Sequence, residues 1–188
     1  MGCGPIYYLS DASITNIAVS PSGLVAVGCG NGMLKIYENG VMLHRAPACH
    51  KSSITGLVFS EDGKLMASIA ADGTKIWTLP NFCMTHSMKV ASAEFNPLRF
   101  SHNGGILAIP SPMHGILLFE TESWKCLLQL PAQKTMPKSI QFSDDDITIL
   151  VSGSEVKAWH VQDAKDVIEM HHQSTWALFG DDVVMGAC

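Results

Sequence analysis

The chain repeats itself every 40 to 42 residues, and that period limits its fold more than any other feature. Phe-Ser or Val-Ser pairs fall at Val19-Ser20, Phe59-Ser60, Phe100-Ser101 and Phe142-Ser143, so the serines stand 40, 41 and 42 residues apart. Each pair closes a short β-rich run (ITNIAVS, ITGLVFS, NPLRFS, KSIQFS), and turn residues follow (PSG, EDG, HNG, DDD). A second apolar run comes next. A third ends in an aromatic, at Tyr37, Trp77, Phe119 and Trp159, again 40 to 42 apart. A fourth, more polar run completes each unit. Four short strands per period predict four-stranded twisted sheets. Such a sheet cannot bury both faces alone, so neighbours must stack, with the third-strand aromatic filling the space between them.

Composition agrees with many short strands. Apolar residues make up 47% of the 188, and mean hydropathy is +0.19. Yet the longest apolar runs, such as Gly115–Phe119, are far shorter than the roughly 18 to 20 residues of a membrane span. No basic region followed by an apolar core opens the chain, so no secretory signal is expected. The six cysteines are scattered, with no CxxC and no zinc-like Cys/His spacing, which predicts reduced thiols and no metal. The formal charge of −5 argues against nucleic acid as the main ligand, since phosphate contacts need a basic face.

The fold class predicted is all-β: a β-propeller of four full four-stranded blades plus remnants. The second unit, CHKSSITGLVFSEDGKLMASIAADGTKIWT, makes this specific. It resembles the WD-repeat family in His50 before the first strand, Phe59-Ser60-Glu61-Asp62-Gly63, Ala67-Ser68, Asp72-Gly73-Thr74 and Trp77. Thr78 stands where that family usually has Asp, and the stretch between Thr74 and Trp77 is one residue short. The other units are degenerate: Asn31 and Tyr37 in the first, Phe119 without His or Asp in the third, and Trp159 without the turn Asp in the fourth. Blades are expected at about 11–49, 50–90, 91–132 and 133–172, with 173–188 starting a fifth. The family usually closes seven blades. Four imply an open arc, completed by further blades of a longer chain or by a second chain, unless it closes as a small ring.

The glycines of VAVGCGNGMLKIYENG (25–40) invite a phosphate-loop reading. A dinucleotide fingerprint needs a third glycine and a following helix. Met33 holds the third position and MLKIYE reads as a strand. Asn31-Gly32 is instead a two-residue hairpin signal in which both residues tolerate positive φ, and Asp72-Gly73 repeats it. His50, Ser68 and Asp72 are the residue types of a hydrolytic triad. With Trp77, their positions resemble the family's structural tetrad, in which Asp holds His, His holds Ser and Ser holds the indole. Nothing near Ser68 suggests an oxyanion site. His171-His172 are adjacent in a predicted strand and point to opposite faces, so they do not chelate one ion. Glu61-Asp62, Asp144-Asp145-Asp146 and Asp181-Asp182 fall in first-to-second-strand turns and should gather on one solvated rim.

The family resemblance implies a non-catalytic scaffold that binds peptides or domains on its loop faces, without cofactor or metal. It also implies a face for that binding, the one carrying the fourth-to-first and second-to-third loops. Matching positions are Ser13, Thr15, Ser53, Thr55, Ala71, Glu94, Asn96, Met113, Met136 and Lys138, with Gly30 beside them. Other proteins are the expected partners, with no nucleic acid and no membrane span, in the cytoplasm or nucleus. The alternatives are a propeller module of a trafficking or nucleotide-exchange factor and, last, a propeller hydrolase.

Overall fold

The computed structural model of the chain describes residues 12–47, 49–92, 97–131, 135–161 and the strand Val184–Met185. Blade 1 is β1 (Ile14–Val19), β2 (Val25–Cys29), β3 (Leu34–Glu38) and β4 (Val41–Ala46). Blade 2 is β5 (Ile54–Phe59), β6 (Leu65–Ala70), β7 (Gly73–Thr78) and β8 (Cys83–Met88). Blade 3 is β9 (Arg99–Phe100), β10 (Ile106–Ser111), β11 (Gly115–Glu120) and β12 (Cys126–Leu130). Blade 4 contributes β13 (Ser139–Phe142), β14 (Thr148–Ser152) and β15 (Val156–His160), and β16 is Val184–Met185. Each blade is an antiparallel meander in chain order. Among the described residues the sheets do not close into a ring.

The outer strand expected for blade 4 lies outside the described residues, as does most of the fifth unit. Its two described residues pair antiparallel with β8, Val184 opposite Ser87 and Met185 opposite His86. First strands are neighbours in turn, β1 beside β5, β5 beside β9 and β9 beside β13, so they line the inner edge of the arc.

Most of the core lies between blades; a smaller cluster of Val27, Cys29, Met33 and Tyr37 belongs to blade 1 alone. Leu34 and Ile36 of blade 1 pack with Ile54, Met66 and Trp77 of blade 2. Ile69 and Ile76 of blade 2 pack with Phe100, Leu107 and Phe119 of blade 3. Ile116 and Leu118 of blade 3 pack with Ile140, Phe142 and Ile149 of blade 4, and Trp159 rests on this cluster. The third-strand aromatics of blades 2 to 4 therefore each face the preceding blade. Fully buried Leu and Ile side chains are each stabilised by roughly 1.5–3 kcal/mol relative to exposure.

The periodic serines have a local cause. Ser20, Ser60, Ser101 and Ser143 each end a first strand, and each hydroxyl accepts the N–H that opens the second strand, from Leu24, Leu65, Ile106 and Thr148, all at 2.9 Å. A short side chain with both donor and acceptor suits this turn, because it replaces a ladder bond the backbone cannot reach.

Two expectations need correction. Gly32 and Gly73 take positive φ (77° and 131°), but Asn31 and Asp72 do not. The hairpins use glycine alone there, and the Asn31 side chain instead accepts the Met33 N–H at 3.2 Å. Nor are all thiols free: Cys83 is disulfide-bonded. Cys29, Cys49 and Cys126 are free, and burial pushes the Cys49 and Cys126 thiols up to about 11, so they remain protonated.

Candidate functional site

Two sites predicted from sequence lie at the same end of the blades: the polar network of blade 2 and the loop face around it. The network begins where the chain enters blade 2. His50 is 1% exposed, its N–H donating to the Gly32 carbonyl at 3.0 Å. A Cβ on Gly32 would overlap the His50 carbonyl oxygen, so only glycine lets the two segments cross. His50 Nδ1 lies 2.7 Å from Asp72 Oδ1, and Nε2 lies 2.8 Å from Ser68 Oγ. Trp77 Nε1 donates to the same Ser68 oxygen at 3.0 Å. A carboxylate only accepts, so His50 carries its proton on Nδ1, Ser68 donates to Nε2, and the indole donates to Ser68. Each bond of the chain then runs in the one direction its atoms allow, with Ser68 Oγ both donor and acceptor.

Electrostatics support that assignment. Burial holds the His50 pKa below the usual histidine value against the opposing pull of Asp72, so the ring is neutral near pH 7. Burial alone would raise the Asp72 carboxyl. Hydrogen bonds from the Lys51 N–H (3.0 Å) and His50, with the charge of Lys75 4.0 Å away, hold it below the usual carboxylate range. The Lys75 ammonium also donates to the Cys49 carbonyl, which fixes the segment entering the blade. Sequence reasoning missed Lys51 and Lys75. Lys75 could have been found, since it stands three residues after Asp72 in a strand otherwise buried. Ser68 is 0% exposed and its hydroxyl is committed on both sides, so it offers no nucleophile to a substrate.

The loop face is only partly free. Thr15 Oγ1 donates to the Ile54 carbonyl of the next blade at 2.6 Å, and Thr55 Oγ1 to the Ser92 carbonyl at 3.0 Å. These hydroxyls link successive blades along the inner edge. The Gly30 N–H donates to the Ser13 carbonyl at 2.8 Å, and the Lys138 N–H to Ser152 at 2.7 Å. Their side of the sheets is thus the end where first strands begin and second strands finish. Ser13, Ala71 and Lys138 are exposed there, while Ser53 and Met136 are half-buried. Met113, at the β10–β11 turn, is 84% exposed. Glu94 and Asn96 lie outside the described residues. Beside this end, an open cavity of about 530 Å³ runs along the inner edge between Ile14, Ile17, Leu57 and Leu98. Among the described residues no His, Cys, Asp and Glu group could hold a metal ion. Nor is any helix of the described residues long and apolar enough to cross a membrane.

Known proteins resemble the chain in three ways. The family model "WD domain, G-beta repeat" matches residues 43–78, which contain the whole polar network. The pre-rRNA-processing protein IPI3 of Yarrowia lipolytica is 28% identical over 93% of this chain and 36% of its own length. The pre-mRNA-processing factor 19 homolog 2 of Arabidopsis thaliana is 28% identical over 62% of this chain and 23% of its own. The chain thus spans about a third or less of these relatives. Among solved structures, the computationally designed Ika4 protein superposes with a TM-score of 0.67 at 22% identity, over 80% of this chain and 92% of its own. That likeness concerns the fold.

Proposed function

We propose, from the premise that this is a WD-repeat β-propeller chain, that it works as a non-catalytic scaffold whose loop face docks another protein. WD-repeat domains generally serve as protein-interaction platforms. The observation that carries the reading here is Met113. A methionine that is 84% exposed at a turn between two otherwise buried strands has no role in the core. It projects from the same end of the sheets as Met136 and Lys138 in the next blade. Methionine repacks against varied apolar groups, and the small polar residues around it bond in several directions. Thr15 and Thr55 belong to the support of this face, because their hydroxyl protons are spent between blades.

The relatives' names favour a setting within an RNA-processing assembly, in the nucleus or elsewhere inside the cell. With a charge of −5, the chain suits docking to protein components of such an assembly better than gripping phosphates itself. The test is affinity capture from cell extract with the wild-type chain, Met113→Asp, and the pair Met136→Asp and Lys138→Glu. Loss of the same captured proteins in these variants, at unchanged melting temperature, is the expected result. If Asp144→Lys at the opposite end abolishes capture and these variants do not, the docking face has been placed on the wrong side.

A further inference from the structure

The β13–β14 turn breaks a pattern that the other three first turns keep. In those, the third residue after the serine is glycine at positive φ: Gly23 at 90°, Gly63 at 69° and Gly104 at 72°. In blade 4 it is Asp146, at φ 57°. Backbone there disfavours any residue with a Cβ, although Asp tolerates it better than most. No bond within its own turn requires the Asp146 side chain. Its carboxylate instead crosses to the equivalent turn of blade 3. Oδ1 accepts the His102 N–H at 2.7 Å, Oδ2 accepts the Asn103 N–H at 2.8 Å, and His102 Nδ1 lies 3.1 Å from Oδ1. The other ring nitrogen, Nε2, lies 3.7 Å from Glu61 Oε1 in blade 2. One imidazole therefore stands between carboxylates of the blades on either side of its own.

We propose that protonated His102 clamps the rims of three successive blades, with Asp146 on one side and Glu61 on the other, and that loss of its proton loosens this rim. The neutral ring keeps one N–H, which Asp146 takes, and then presents a bare lone pair to Glu61. The protonated ring donates to Asp146 and sets its positive charge 3.7 Å from the Glu61 carboxylate, as an ion pair. The groups facing it are acidic: Glu61 from the β5–β6 turn, and Asp144 and Asp146 from the β13–β14 turn; Asp62 lies beside Gly104, two residues further along the same turn as His102. Asp62 is paired with Lys64 at 3.1 Å. The Asp146 hydrogen bond, aided by the charges of Glu61, Asp146 and Asp144, raises the pKa of His102 above the usual histidine value against a smaller opposing effect of burial. A raised value means that the clamp's stabilisation is complete below the pKa of an unfolded histidine. It is lost as pH rises through the folded value. The acidic rim is thus a proton-responsive seam rather than a merely solvated face.

The test compares the wild-type chain with Asp146→Asn, Asp146→Gly and Glu61→Gln. His102 ring protons are followed by NMR titration, and melting temperatures are taken at about pH 6 and about pH 8, either side of the ordinary histidine range. In the wild type, the His102 midpoint is expected above that of an unfolded peptide histidine, and both Asp146→Asn and Glu61→Gln should lower it. Asp146→Gly restores the residue of the other turns and relieves the backbone. It also loses the two backbone N–H bonds at every pH, so the reading is the change with pH: its melting temperature should fall further below the wild type at the lower pH than at the higher. The wild-type-minus-variant difference removes the titration of other histidines. A His102 midpoint at or below the peptide value, or one that neither carboxylate variant moves, would overturn the proposal. Glu61 is half-exposed, so its variant keeps the test decisive even where Asp146 variants fold poorly.

Discussion

Replacing Asp72 with Ala isolates the support beneath the loop face. The carboxylate receives two hydrogen bonds, from His50 Nδ1 at 2.7 Å and from the Lys51 N–H at 3.0 Å. The Lys51 group is near solvent, so water replaces its partner at little cost. The His50 side chain is 0% exposed, and its donor would face no acceptor. A buried donor left unmade costs about 1–3 kcal/mol. For a chain of this size each kcal/mol shifts the melting temperature by about 2–4 °C, so a fall of roughly 5 °C is expected. Asp72→Asn keeps an acceptor oxygen and should recover most of the loss near pH 7. Glu155→Ala is the control. It removes a 2.7 Å pair with Lys157 in which both side chains are about half exposed, and such pairs contribute about 0–1 kcal/mol. The pH dependence adds a second signature. Asp72 has a lowered pKa, so its stabilisation is present above the ordinary carboxyl value near ~4 and is lost as pH falls through the folded value. Asp72→Asn should lack that acid-side component. Equal melting shifts for Asp72→Ala and Glu155→Ala would refute the reasoning.

Ser68→Ala should also destabilise the fold by about 1–3 kcal/mol, because the Trp77 indole N–H loses its acceptor and His50 Nε2 its donor. A broad serine-reactive probe should label neither this variant nor the parent, and labelling of the parent at Ser68 would contradict the burial described here. Among the turn glycines, Gly63→Ala adds a Cβ at φ 69° with nothing within 4 Å, so it should cost about 1–2 kcal/mol of backbone strain alone. Gly32→Ala adds the same strain and a collision with the His50 carbonyl, and denaturant midpoints should rank it clearly worse.

The fold was readable because its period is written in chemistry that each blade needs. The serine spacing reports a hydroxyl that closes a turn, and the aromatic spacing reports a side chain that fills an inter-blade gap. Both demands are local, so they survive in degenerate repeats. The His50–Ser68–Asp72–Trp77 set was legible through its resemblance to the WD-repeat tetrad; the residue types alone fitted a hydrolytic triad as well. The loop face was legible only as positions. Sequence spacing placed Thr15 and Thr55 on it, but their commitment to the next blade's carbonyls depends on how blades stack. The rim acids read in sequence as a solvated surface, because alternation and charge runs say nothing about what a neighbouring turn presents. One signal was available: Asp146 stands where three aligned turns carry glycine, and a residue in an unfavourable conformation asks for a compensating contact.

The placement of most of the core between blades has a consequence for how such a chain grows. Three of the apolar clusters belong partly to one repeat and partly to the next. Inserting one whole period between two blades breaks one interface and makes two, so every added repeat brings its own burial with it. Inserting part of a period breaks an interface and completes none. Duplication in whole units is therefore the one kind of lengthening that costs no core, and each copy needs to match only its two neighbours. That freedom lets one blade keep the full His–Ser–Asp–Trp network while the others drift to tyrosine, phenylalanine or an aspartate in place of glycine.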